Sequence, residues 1–339
     1  MVSSGVPLSR VARRLEQARL LEEIQGTSDV TVRGVSQDSR ETVSGDLFLA
    51  WKGVDHDAHD HVASAVAAGA VAAVVERVLP DVLVTQLLVR DGRLAGALAA
   101  DLVMGSPWDH LFLSAVTGTN GKTTVSVLIR HLLALRGPAR AVGTLGLLEE
   151  DGTVRAGTES LTTPGPVRVS QWLREMVDHG IEYVALEASS HALAQRRLDG
   201  NRFDAAAFTN LGQDHLDYHP GLEDYRWAKA HLLTLLKSEG WAVVNLDEEA
   251  WSHLPTPPGR TLHFGLEEAR EHPGVADPDR IGPLLLASEL SLSPHGSRFV
   301  LRLGEEAEAV DLPLLGRFNA ENALAAAGVA WVAGLTLSE

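Results

Sequence analysis

Apolar and polar positions along the chain change rhythm near residue 110. Before it, apolar residues at helical spacing predict a helix over Leu8 to Ile24, β-rich pieces at Val30 to Val35 and Asp46 to Ala50, and an alanine-rich helix from His61 to Ala68. That helix stops at Gly69 and feeds the all-apolar run Val71 to Val75. A helix followed by a wholly apolar strand predicts a parallel strand covered on both faces. Gly105-Ser106-Pro107 has the composition of a linker.

From Leu111 the order becomes strand, glycine-rich loop, helix. Leu111 to Val116 is apolar, and Val125, Leu128, Ile129, Leu132, Leu133 and Leu135 fall at helical spacing before Gly137-Pro138. Further apolar strands are predicted at Tyr183 to Leu186, Ala205 to Phe208 and Trp241 to Asn245. Strands alternating with helices predict an α/β fold: a small N-terminal α/β domain over 1–110, then a doubly wound, mostly parallel sheet domain over 111–334. Residues 335–339 are expected to start a linker. The stretch 252–313 is richer in proline, glycine and charge, alternates over Arg298 to Leu303, and predicts an antiparallel extension. A helix from Gly316 to Ala333 follows.

Composition narrows the function classes. The 339 residues suit two domains or three, and 45% of them are apolar. Cysteine is absent, which removes disulfides, thiolate metal sites and cysteine nucleophiles. No basic segment precedes an apolar run at the N-terminus, and no apolar stretch reaches membrane-spanning length, so the expectation is a cytoplasmic protein without membrane insertion. A net charge of −16 argues against binding nucleic acid non-specifically, though not against a small anion held by one basic loop or by Mg²⁺.

The loop itself reads Thr117-Gly118-Thr119-Asn120-Gly121-Lys122-Thr123-Thr124. It departs from the common G-x-x-x-x-G-K-[ST] pattern, because Val116 stands where the first glycine belongs. The context is still that of a phosphate loop: Gly118 and Gly121 free the backbone, Lys122 supplies a charge, and the Thr123 hydroxyl can hold Mg²⁺ at a helix N-terminus. A glycine-rich turn containing a lysine is the bland alternative.

Three further stretches carry candidate chemistry. Glu187-Ala188-Ser189-Ser190-His191 follows a strand, where the carboxyl ends of an open sheet collect ligands. Glu187 can ligate Mg²⁺ there, or Ser189 and Ser190 can simply cap the next helix. Phe208 to His219 holds Asp214, His215, Asp217 and His219 at spacings that match no usual zinc pattern. His215 is therefore read as a ligand or neighbour of Mg²⁺, or as a structural histidine. Tyr225, Lys229, Leu232 and Leu236 share one stripe of a predicted helix, so Lys229 lies on its apolar side. It either snorkels or turns toward the active site.

Together these residues resemble the Mur ligase family, ATP-dependent amide-forming enzymes of peptidoglycan synthesis. The family's G-T-N-G-K-T-T stands here as Gly118 to Thr124. Its UDP-N-acetylmuramoyl-tripeptide synthetase branch is resembled by Glu187, Ser189, Ser190, His191, Leu193, Gln195 and Arg197, by Phe208 to His219, by Asp38-Ser39-Arg40, and by Gly316-Arg317-Phe318-Asn319 with Asn322. The resemblance implies that Gly118, Thr119, Asn120, Gly121, Lys122, Thr123, Thr124, Asn319 and Asn322 bind ATP. It assigns Ser39, Thr162, Thr163, Ser189, Gln195 and Arg197 to the UDP-N-acetylmuramoyl dipeptide. Mg²⁺ would be held by Thr123, Glu187, His215 and Lys229, the last as a carbamate formed with CO₂, with Lys122, Lys229 and His215 as catalytic groups. The implied partners are that dipeptide and a diamino acid, and the implied state is a monomer.

Two features depart from the pattern. Asp57-Ala58-His59 stands where the family often has Asp-Gly-His, and no Asp-Asn-Pro-Arg occurs in the chain. That second motif belongs to a third, amino-acid-selecting domain, so the expectation is a chain that lacks it. The rival readings are another Mur-type ligase, such as the one adding D-Ala-D-Ala, a folylpolyglutamate synthase, or a binding fragment without turnover.

Overall fold

The computed structural model describes residues 5–53, 56–159, 161–212, 214, 218–267 and 282–339. The chain packs into two compact units. One comprises residues 1–107, 165–176 and 195–201, and the other 108–164, 177–194 and 202–339.

The first unit runs β1 (Val6–Pro7), α1 (Leu8–Gln17), β2 (Leu21–Gln25), β3 (Thr31–Val32), β4 (Gly34–Ser36), β5 (Asp46–Leu49), α2 (Val62–Ala68), β6 (Ala72–Val75), β7 (Thr85–Val89) and α3 (Gly92–Val103). Five strands form one sheet in the order β2-β7-β6-β5-β4, parallel except for β2. The all-apolar Ala72 to Val75 is buried at its centre, as the sequence predicts. One core lies between the sheet and α1 and α3, and a second lies under α2. The predicted helix over Leu8 to Ile24 is too long. It ends at Gln17, Arg19 takes a left-handed φ of 58°, and Leu20 N–H closes the turn on the Leu15 carbonyl, so Leu21 onward is strand.

The second unit follows with β8 (Phe112–Thr117), α4 (Lys122–Leu133), β9 (Ala139–Gly143) and β10 (Gly146–Leu148). The helix α5 (Pro166–Asp178) lies for most of its length in the first unit. Then come β11 (Tyr183–Glu187), α6 (Ser190–Ala194), β12 (Phe203–Phe208), α7 (Leu222–Ala230), β13 (Leu236–Asn245), β14 (Arg260–Leu266), β15 (Leu284–Ser293), β16 (Gly296–Leu303), β17 (Glu306–Leu312) and α8 (Arg317–Val332). These make a ten-stranded sheet, β10-β9-β11-β8-β12-β13-β14-β15-β16-β17, in which β9 through β15 run parallel.

Small residues let α8 sit close to this sheet. Ala205, Ala207, Val243 and Leu262 present one face to α8, whose Gly328 has room for no side chain: a Cβ there would lie 2.8 Å from Val243. The α4 stripe Val125, Ile129, Leu133 is fully buried at its predicted spacing. Leu135 is not part of it and is exposed beyond the helix end. The antiparallel extension is shorter than 252–313, because β14 still pairs in parallel with β13 and β15, and only β16 and β17 reverse. The Lys229 stripe also breaks: α7 ends at Ala230, a 3₁₀ turn follows, and Leu236 opens β13. Among the described residues no helix is long and apolar enough to cross a membrane.

Candidate nucleotide and UDP-sugar sites

In the second unit the central strands β8, β11 and β12 end side by side, and their carboxyl ends build one site. After Thr117 the chain turns at Gly118, φ 151°, and enters α4 through Gly121, φ 87°. Glycine is required twice. A Cβ at Gly118 would lie 1.9 Å from Thr209 Oγ1, and one at Gly121 would lie 2.3 Å from Asn322 Oδ1. The loop is therefore clamped from both sides. Thr119 N–H donates to the Asn210 carbonyl at 2.8 Å, and Asn120 N–H to Asn210 Oδ1 at 2.8 Å. Thr209 Oγ1 donates to the Asn120 carbonyl at 2.8 Å. Asn210 belongs to the Phe208 to His219 stretch noted in the sequence, but only the fold shows it bracing the loop.

Two amines converge on the loop. Lys122 Nζ donates to the carbonyls of Gly118 and Thr119 at 3.0 and 2.9 Å. Lys229 Nζ donates to the same Gly118 carbonyl at 2.7 Å and lies 4.3 Å from the Tyr225 ring centroid. Lys229 is 1% exposed, which excludes snorkelling. Burial, reinforced by the neighbouring Lys122 charge, pulls its pKa down to about 6.

Glu187 is equally buried, at the end of β11. Thr144 holds it with two bonds: its N–H donates to Oε1 at 2.8 Å, and its hydroxyl to Oε2 at 3.1 Å. Gly143 leaves room for the carboxylate, since a Cβ there would stand 2.0 Å from Oε1. Burial pushes the Glu187 carboxyl up and the Lys122 amine down, while the attraction between the two opposes both changes. Thr123 also bonds to Glu187. The residues Thr119 to Thr124, Thr144, Thr162 and Glu187 line a cavity of about 230 Å³ at the N-terminus of α4. Thr144 was missed by sequence reasoning; its only cue is its place directly after β9, Ala139–Gly143.

The other predicted residues fall into separate groups. Thr163 Oγ1 donates to the Glu187 carbonyl at 2.6 Å and accepts from Ser189 N–H at 3.0 Å. Thr162 meets the Thr144 hydroxyl at 3.2 Å. Ser189 caps α6, with its Oγ accepting from Ala192 N–H at 3.2 Å, so the capping role holds beside any other. At the start of α8, Asn322 donates to Asn319 Oδ1 at 3.1 Å while its own Oδ1 abuts Gly121. His215 lies outside the described residues, and so do Leu216 and Asp217. No group of three or more His, Cys, Asp or Glu suited to a metal occurs among the described residues.

In the first unit, Ser39 and Gln195 line an open cavity of about 950 Å³ together with Asp38, Arg40, Trp51 and Arg93. Arg197 reaches Gln195 Oε1 at 2.9 Å. Arg40 pairs with Asp38 and holds that carboxyl down to about 2. The Asp57-Ala58-His59 turn is well made despite its alanine. Asp57 accepts from the His59 ring at 2.5 Å, and His59 Nε2 accepts from Glu76 N–H at 2.8 Å.

A phosphate-type loop with these braces occurs in many folds, so comparison with known proteins decides the family. The Mur ligase middle domain matches residues 116–330. The chain belongs to the Mur ligase family. It is 38% identical over 322 residues to the UDP-N-acetylmuramoyl-L-alanyl-D-glutamate–2,6-diaminopimelate ligase of Xanthomonas campestris, covering 94% of this chain and 63% of that one. It is 36% identical over 321 residues to the ligase of the same name from Geobacillus kaustophilus, covering 92% and 62%. A solved structure bearing that name superposes with a TM-score of 0.79 at 28% identity, over 98% of this chain and 65% of the other. The chain thus spans a little under two thirds of the length of the Mur ligases it matches.

Proposed function

We propose that this chain carries the ATP and UDP-sugar sites of an ATP-dependent ligase of peptidoglycan synthesis. That ligase adds a diamino acid to UDP-N-acetylmuramoyl-L-alanyl-D-glutamate. The observation that carries the reading is the convergence of Lys122, Thr123, Glu187 and Lys229 on one glycine-bounded loop. A nucleoside triphosphate supplies the anionic chain that such a loop and helix N-terminus attract. The open cavity around Ser39 and Gln195 is the candidate place for the UDP-sugar.

Each residue has a physical task. The N-terminal turn of α4 and the Lys122 amine group would attract and hold the anionic β- and γ-phosphates. Thr123 and Glu187 offer hard oxygen donors that fit Mg²⁺, and a bound Mg²⁺ supplies charge neutralisation for the transferred phosphoryl group. Thr144 keeps both Glu187 oxygens oriented. A Lys229 amine whose pKa is near 6 is largely neutral at pH 7, the form that reacts with CO₂. Attack of its nitrogen on CO₂ forms an N–C bond and releases one proton, so an uncharged amine becomes an anionic carbamate with two oxygens, donors that would fit Mg²⁺.

Two substrate-level steps then follow. The side-chain carboxylate of the D-glutamate attacks the γ-phosphorus, giving an acyl phosphate and ADP. An amine of the diamino acid attacks the acyl carbon, the amide bond forms, and phosphate leaves. Positioning and charge neutralisation carry such phosphoryl transfers. The protein acts in the cytoplasm as a monomer.

Calorimetric titration tests this reading. The chain is expected to bind Mg·ATP and, independently, UDP-N-acetylmuramoyl-L-alanyl-D-glutamate. Binding of a UDP-muramoyl tripeptide or a folate in place of the dipeptide overturns the substrate assignment. Phosphate release that responds to the diamino acid distinguishes an active ligase from a binding fragment.

A further inference from the structure

Tyr225 belongs to no part of the mechanism above, yet it touches two of its groups. It is wholly buried, and its ring meets His219 in a tilted contact, 5.2 Å between centroids. Its hydroxyl lies 3.1 Å from Thr119 Oγ1 in the phosphate loop. Thr119 Oγ1 in turn accepts from Gly212 N–H at 2.9 Å. The face of the same ring lies under the Lys229 amine, with Nζ 4.3 Å from its centroid. On α7 the two residues stand four apart, so helix geometry alone places them on one side.

We infer that Tyr225 is a positioning residue of the nucleotide site, fixing the phosphate loop through Thr119 with its hydroxyl and seating Lys229 against the Gly118 carbonyl with its ring. The inference rests on the nucleotide reading above and extends it. A hydroxyl buried at this depth needs a partner, and among loop atoms Thr119 Oγ1 answers it. Thr119 N–H already reaches Asn210, so the Tyr225 contact fixes its side chain as well as its backbone. A loop held on both counts needs little ordering when an anion arrives, and preorganisation of this kind raises affinity. The ring works separately. Its face packs against the Lys229 nitrogen and helps hold it within reach of the Gly118 carbonyl.

The two roles separate by substitution. Tyr225→Phe keeps the ring and removes the hydroxyl, whereas Tyr225→Leu removes both. Mg·ATP titrations on the full chain are expected to show affinity weakened about threefold to tenfold in Tyr225→Phe, the effect of one buried hydrogen bond. If the hydroxyl acts through Thr119, the pair Thr119→Val and Tyr225→Phe is no weaker than Thr119→Val alone. Acetylation of Lys229 by a small anhydride, read by mass spectrometry, is expected to rise in Tyr225→Leu and stay at the wild-type level in Tyr225→Phe. A general packing role would lower the melting temperature and leave that split absent. Wild-type affinity in Tyr225→Phe, or additive losses in the pair, overturns the positioning role. A wild-type chain that binds no nucleotide overturns the nucleotide reading and this inference with it.

Discussion

Replacing Lys229 by methionine should make the protein more stable at acid pH. The amine is 1% exposed and its pKa lies at about 6 against an ordinary 10.5. The unfolded chain keeps its proton up to pH 10.5, whereas the folded one releases it above about 6. Between those values unfolding takes up a proton, so stability rises with pH. The penalty is complete below pH 6 and is relieved as pH climbs toward 10.5. At ~1.4 kcal/mol per pH unit the whole interval corresponds to about 6 kcal/mol. Methionine removes that penalty but also the bond to the Gly118 carbonyl and the contact with Tyr225, together about 2 to 3 kcal/mol. The net gain is about 3 kcal/mol at pH 6 and shrinks by about 4 kcal/mol toward pH 9. Urea unfolding at fixed pH values from 6 to 9, in carbonate-free buffer, measures it. Exchange protection of β8 and α4 is the probe, because it reports the unit that holds Lys229. A stability difference independent of pH would refute the argument, since a buried amine must release its proton on folding. So would a methionine variant that is less stable at pH 6.

Other expectations follow from the same geometry. Glu187→Gln keeps both Thr144 contacts possible but removes the charge, so the Mg²⁺-dependent part of nucleotide binding should vanish in calorimetry while Mg²⁺-free binding persists. Gly121→Ala demands a left-handed φ of a residue with a side chain and drives its Cβ into Asn322. It should lower stability by about 1–2 kcal/mol and weaken ATP binding at least tenfold, measurable by thermal unfolding and titration. Asp204 accepts from Leu113 N–H at 2.8 Å and from Lys237 at 2.9 Å, tying β12 to β8. Asp204→Ala should cost about 1–3 kcal/mol in denaturant unfolding with ATP affinity unchanged. Unchanged stability there would mean that water replaces the carboxylate as acceptor for both donors.

How much of this was legible beforehand depended on distance along the chain. The strand, the two glycines and the α4 stripe all lie between Phe112 and Leu133, and local periodicity is enough to read them. Lys229 was recognisable as a member of an apolar stripe from its neighbours at helical spacing, but burial of its amine was not, and the stripe continued only to Leu232. The carbonyl it serves lies 111 residues earlier, so its partner had no local sign. Helix ends were misread wherever a turn was set by a single backbone angle, as at Arg19.

The sequence by itself determined the elements, the glycine loop and the family, because each depends on residue types at short, regular spacing. Tertiary structure alone decided what those residues do to one another. Parallel pairing brings the ends of β8, β11 and β12 together, so Gly118, Glu187 and Asn210 become neighbours across 92 residues of chain. Thr144 as the holder of Glu187, Tyr225 as the support of Thr119, and the depth that lowers the Lys229 pKa all arise there. Each is a property of burial and contact, which exist only once distant segments have excluded water from the space between them.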